Sequence, residues 1–192
     1  MEHHRRRLGL RPAVILALPD PRPWEDDVRL RAEIRYDADP AAVFAMLTDA
    51  AFQERKCAAT GALESEVEIE RFADGGATIR TRRTMPTDQI PDVARSFVGR
   101  TIDVVQVDDF GPEEADGRRS GTVVVEIKNA PVRFAGSLAL GPSPEGTLET
   151  VDGDVKASVP LIGGRLEKAL EPALQAAIHV EQREGTAWLA AR

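Results

Sequence analysis

Between residues 63 and 159 apolar and polar residues alternate in run after run, most of them separated by a few residues rich in glycine, proline or aspartate. This spacing most limits the fold. Parallel neighbours need crossovers of a dozen or more residues, so runs joined by short turns pair antiparallel. The runs are 63–70, 77–85, 99–109, 121–129, 132–140 and 147–159. In the first, Leu63, Ser65, Val67 and Ile69 oppose Glu64, Glu66, Glu68 and Glu70, and Asp74-Gly75-Gly76 supplies a hairpin turn into the second. Gly111-Pro112, Asp116-Gly117 and Gly141-Pro142 punctuate the later ones.

A further strand precedes this block. Residues 28–36 alternate Val28, Leu30, Ala32, Ile34 and Tyr36 against Arg29, Arg31, Glu33 and Arg35. Asp39 then offers an N-cap and Pro40 a first helical residue, ahead of Val43, Phe44 and Leu47 at helical spacing. A second short helix begins at Thr48-Asp49 and stops at Gly61. After the strands, residues 165–189 form the longest helical pattern. Ile162, Leu166, Ala169, Leu170, Ala173, Ala177 and Trp188 share one face, and Pro172 bends the helix near its middle. The expected fold is α+β: a seven-stranded antiparallel sheet curved around a long C-terminal helix, with two short helices after strand 1. This is a helix-grip layout.

Composition removes several function classes. Lys plus Arg number 25 against 32 Asp plus Glu, and a net charge of −7 argues against nucleic acid as a partner. The one cysteine, Cys57, forms neither a disulfide framework nor a C-x-x-C pair, which suits a cytoplasmic location. No apolar stretch reaches the ~18–20 residues of a membrane span, so integral membrane contact is not expected. Residues 1–27 combine a basic cluster with four prolines and no period, and are expected to be a disordered extension before a ligand-binding domain over 28–192. The apolar run 13–18 is short for the ~7–15 residues of a secretory core.

The words of the chain carry a resemblance as well. YDADPAAVFAMLTD (36–49), TRRTMPTDQIPD (81–92), GRTIDVVQ (99–106) and VDGDVKASVPLIGGRLEK (151–168) resemble an uncharacterised bacterial branch, domain of unknown function 2505, of the START-like or SRPBCC superfamily. The resemblance implies a cavity between sheet and helix that holds an apolar or amphipathic small molecule, lipid- or polyketide-like. Against the superfamily's metal-bearing members, His179 is the only histidine after the first segment, so no two-histidine-one-carboxylate iron set exists. Nucleophile elbow, phosphate loop and dinucleotide fingerprint are also absent, and no cofactor is expected.

Parity selects the candidate site. Ile79 and Met85 mark the buried side of 77–85 and bring Arg83 with them, where it either meets a ligand's anion, pairs with a protein carboxylate or reaches solvent at the strand end. Helical counting from Ile162 puts Glu181 and Glu184 in the apolar stripe as internal partners; exposure at the helix end is the other reading. Asp103 shares the parity of Val105 and Val107, so it enters the cavity unless a bulge resets the register. The remaining lining is expected from Ile79, Val105, Val125, Phe134, Leu138, Val155, Leu166, Leu170 and Ala173. Tyr36 is read as core or rim, Cys57 as buried filler, and Ile90, Val93 and Phe97 as a short helix over the entrance or packing against the sheet. Two other readings stand beside ligand carriage. One is a cofactor-independent cyclase or dehydratase, with Arg83 polarising a carbonyl and Glu181, Glu184 or Asp103 moving a proton. The other is an interaction domain whose cavity is closed by side chains, marked by an interior well below ~300 Å³.

Overall fold

The computed structural model describes residues 28–88, 99–161 and 163–191. Seven strands, β1 (Val28–Tyr36), β2 (Glu64–Arg71), β3 (Ala77–Pro86), β4 (Thr101–Phe110), β5 (Arg119–Ile127), β6 (Val132–Ser143) and β7 (Gly146–Ala157), form one antiparallel sheet in the order β1-β7-β6-β5-β4-β3-β2. Two helices, α1 (Pro40–Leu47) and α2 (Ala50–Ala59), follow β1, and the long α3 (Gly163–Ala190) closes the chain. The expected α+β helix-grip architecture is the observed one. The extension over residues 1–27 and the segment carrying Ile90, Val93 and Phe97 lie outside the described residues, as does Ile162.

Local chemistry explains the element boundaries. Asp39 caps α1, its carboxylate accepting from the Ala42 N–H at 2.8 Å, and Pro40 takes the first helical position where no N–H is needed. Asp49 caps α2 in the same manner, accepting from Ala51 at 2.9 Å. Gly61 ends that helix at a φ of +83°, a left-handed conformation that glycine adopts without steric cost.

One face of the sheet is apolar and carries the core. Leu30, Ile34, Ile79, Phe134, Leu138 and Val155 are all nearly inaccessible there, with Phe52 and Met46 from the short helices packed against them. Gly136 of β6 pairs with Gly153 of β7. A Cβ on Gly136 would sit 2.4 Å from the Asp152 carbonyl oxygen, and one on Gly153 would sit 2.4 Å from that of Ala135, so the two backbones approach as only glycines permit.

Helix α3 lies across this face and is held at both ends. Leu166 is buried near its start, where the Glu167 carboxylate also accepts from the Ala157 N–H at the end of β7, at 2.8 Å. Near its other end Gly185 is buried against Tyr36 and Met46, and the Trp188 ring meets Phe52 edge-on at 5.6 Å. Between these anchors Leu170, Leu174, Ala177 and Ile178 are only half-buried. Pro172 stands on the exposed side of this middle stretch and gives no N–H to the helix ladder. Among the described residues no helix is long and apolar enough to cross a membrane.

Candidate ligand-binding site

Under the half-seated middle of α3 lies a partly open space of about 70 Å³. Its walls differ in chemistry. Leu30, Ile34, Val123, Phe134, Leu138 and Ile178 make the apolar wall, with Val125, Val151, Leu174 and Ala177 beside them. Lys56, Arg83, Gln106, Asp108, Glu149 and Glu181 make the polar wall.

Strand register brings the polar wall together. Arg83 stands opposite Val104 on β4, and four pairs further along Ile79 stands opposite Asp108, so Gln106 and Asp108 share the inward parity of Arg83. On β7 the inward set is Thr147, Glu149, Val151, Gly153 and Val155, and Glu149 faces Ile34 of β1. Lys56 enters from α2, one turn after Phe52 on the same face, and Glu181 enters from α3.

Two chains of contacts result. The Lys56 ammonium donates to Glu181 Oε2 at 2.7 Å, and the Tyr36 hydroxyl donates to Glu149 Oε2 at a long 3.5 Å. Arg83 Nη2 donates to Gln106 Oε1 at 2.9 Å, and the Gln106 amide donates to both oxygens of Asp108 at 3.1 and 2.9 Å. Arg83 is 6 % exposed, Asp108 8 % and Glu149 3 %, so their charges stand largely out of water. The buried Nε of Arg83 has no hydrogen-bond partner among the described residues.

Burial decides the proton affinities. It pushes Asp108 up to about 6, against Lys56, which pulls down. Burial and the neighbouring Glu181 raise Glu149 well above the ordinary carboxyl range, favouring its protonated form. Tyr36 is raised for similar reasons, burial first and then Glu149. For Lys56 burial acts to lower the value, but Glu181 and Asp108 together outweigh it and hold the ammonium above its usual affinity. The wall thus combines a fixed guanidinium, an ion pair and a carboxyl that exchanges its proton near neutrality. Such a set can hold a polar head group or move a proton at Asp108.

Of the predicted lining, Arg83, Val125, Phe134, Leu138 and Glu181 border this space. Ile79 and Val155 lie in the adjoining core, with Leu166 buried and Leu170 packed against that core. Four expected placements are corrected. Asp103 and Val105 point to the outer face, because β4 runs without a bulge and its inward residues are the alternate ones; Asp103 there accepts from Arg82 at 2.6 Å and from Thr84 at 3.0 Å. Ala173 is exposed, since the sequence of fours through Leu166, Leu170, Leu174 and Ile178 carries the apolar stripe around the helix away from it. Glu184 does not line the space and instead accepts from Arg55 of α2 at 2.7 Å.

Lys56, Gln106, Asp108 and Glu149 were absent from the expected set. Glu149 had the same signal as Arg83, a charge at the parity of Val151 and Val155. Lys56 had one too, lying four residues after Phe52. Asp108 was hidden because Val105 and Val107 place apolar residues on the outer side of β4. Tyr36 and Cys57 are core, and burial raises the Cys57 thiol. His179 is exposed. Among the described residues no group of three or more His, Cys, Asp and Glu is arranged to hold a metal ion.

Comparison with known proteins agrees on the fold. The crystal structure of TTHA0849 from Thermus thermophilus superposes with a TM-score of 0.52 at 19 % identity, covering 85 % of this chain and 98 % of that one. A STAR-related lipid transfer protein from Xanthomonas axonopodis gives 0.53 at 17 % identity, covering 84 % and 85 %. In sequence, the uncharacterized protein Rv0481c of Mycobacterium tuberculosis is 26 % identical over 118 residues, 60 % of this chain and 67 % of the relative. A START-like fold at this identity leaves the ligand open. The family model described as "Protein of unknown function (DUF2505)" matches residues 31–189, and the chain belongs to that family.

Proposed function

We propose that this protein binds an amphipathic small molecule, lipid- or polyketide-like, between the sheet and α3, with its apolar body against Leu30, Ile34, Phe134 and Leu138 and its polar end toward Arg83 and Lys56. The observation that carries the reading is the divided wall: one space under α3 has an apolar side and a buried polar side whose guanidinium is incompletely satisfied. A chain that needed only stability gains little from such a polar wall, since replacing buried ion pairs by packed apolar residues is often neutral or stabilising.

The present volume of about 70 Å³ admits a few waters, whereas drug-sized ligands occupy about 300 Å³ or more. Ligand entry therefore moves the middle of α3 outward. That stretch is suited to it, because its inner residues are half-buried while both ends are anchored. Burying a few hundred Å² of ligand at ~25 cal/mol per Å² supplies several kcal/mol toward this opening, before ordering costs.

The same small volume favours a second reading, in which side chains close the interior and the domain acts through its surface. Native mass spectrometry of the protein purified from its own host, followed by organic extraction, separates the two. A stoichiometric released lipid or polyketide supports carriage. Repeatedly empty protein, together with no retained compound from a cell-extract screen, supports the closed domain.

A further inference from the structure

Among the described residues Arg83 is the least explained buried charge. Its guanidinium comes from β3, a strand paired on both sides by β2 and β4, and lines the space under α3 at 6 % exposure. Lys56 has a carboxylate at 2.7 Å, and Arg82, on the outer face of the same strand, has one at 2.6 Å. Arg83 makes no salt bridge among the described residues; its Nη2 donates to the neutral amide of Gln106, and its Nε–H goes unanswered. A buried guanidinium so placed is costly unless an anion completes it.

The polar wall also limits which anion fits. Asp108, Glu149 and Glu181 already bring three carboxyl groups to the space beside Arg83 and Lys56. A dianion such as a phosphomonoester meets repulsion from Asp108 and Glu181, while a cationic head meets Arg83 and Lys56. A planar monoanion accepts the Nε–H and adds a single charge. Glu149, held toward its protonated form by burial and by Glu181, leaves room for that charge.

From the unanswered Nε–H of a buried guanidinium facing the apolar wall, we infer that the ligand is a carboxylic acid with an aliphatic body, its carboxylate seated on Arg83. This rests on the reading that the space under α3 takes a ligand at all. The aliphatic character follows from the wall, where Phe134 is the one aromatic ring among Leu, Ile, Val and Ala.

Isothermal titration calorimetry of the full chain at pH 7 with octanoate, 1-octanol and octylammonium tests it, the three probes sharing one tail. Octanoate is expected to bind at least tenfold more tightly than 1-octanol, with octylammonium no tighter than the alcohol. Arg83→Gln is expected to bring the ratio of octanoate to octanol affinity close to one, with circular dichroism confirming the fold. The comparison on the unaltered protein stands whether or not that variant folds. If 1-octanol or octylammonium binds as tightly as octanoate, the assignment of a carboxylate is wrong and the amphipath reading survives. If none of the three binds, both fall.

Discussion

Asp108 shows how a single buried group ties the interior to pH. Burial raises it to about 6 from an ordinary 3.8, so between those values the native chain keeps a proton that the unfolded chain has released. Its contribution to stability is therefore full at the acid end and is lost as pH rises through about 6. Two units at ~1.4 kcal/mol each set an upper size of about 3 kcal/mol. Asp108→Asn, which mimics the protonated carboxyl and still accepts from Gln106, is expected to raise the unfolding free energy by about 1–3 kcal/mol at pH 8 and to change it little at pH 4. Urea denaturation at both pH values reads this, and a loss of stability at pH 8 would show that the charge itself is needed. Lys56 gives the opposite kind of expectation. Lys56→Met strands Glu181 without its donor and is expected to cost about 3–5 kcal/mol, part of which Glu181→Leu in the same chain restores; additive losses in the double variant would contradict the pairing. Arg83 and Glu149 could be found from strand parity alone, since alternation is blind to whether the inward residue is apolar. Asp108 could not, because β4 carries both apolar and polar residues on each face and parity has no preferred side there.

At the scale of elements, α3 is set by where a side chain is missing. A Cβ on Gly185 would lie 2.6 Å from Tyr36 Cε1 and 3.1 Å from Met46 Cε. Gly185→Leu is thus expected to push the end of α3 off β1 and α1, at a cost of about 1–3 kcal/mol. Gly164, at the other end of the same helix, has nothing within 4 Å, and Gly164→Ala is expected to gain up to about 1 kcal/mol. Thermal melts of the two variants should move in opposite directions; equal and opposite results to these would place the helix elsewhere. No local pattern marks Gly185, because the tight contact it permits joins residues far apart in the chain. The strands and caps were more legible. Asp39-Pro40 and Asp49 start their helices through contacts within three residues, so the signal and its cause lie together. Strand ends moved by a few residues, as at β5, which starts at Arg119 rather than at Gly121. Hairpin pairing extends strands beyond the stretch where alternation is visible.

For the molecule as a whole, strand order followed from short connections and helix-grip closure from one long amphipathic segment after them. The interior volume did not follow, because it depends on how far α3 stands from the sheet, and that distance is set by packing at Leu166 and Gly185 rather than by any local pattern. Occupancy is predicted to be visible globally: a bound amphipath at a hundred times its dissociation constant adds about 2.7 kcal/mol of stability and raises the melting temperature. The most direct test of the account is an NMR titration of the full chain with octanoate. Shifts are expected at Leu30, Ile34, Val123, Phe134, Leu138 and Ile178, the two facing surfaces of the sheet and α3. Saturable shifts confined to the outer face, at Glu66, Arg82 and Lys128, or none up to the solubility of the probe, would contradict it.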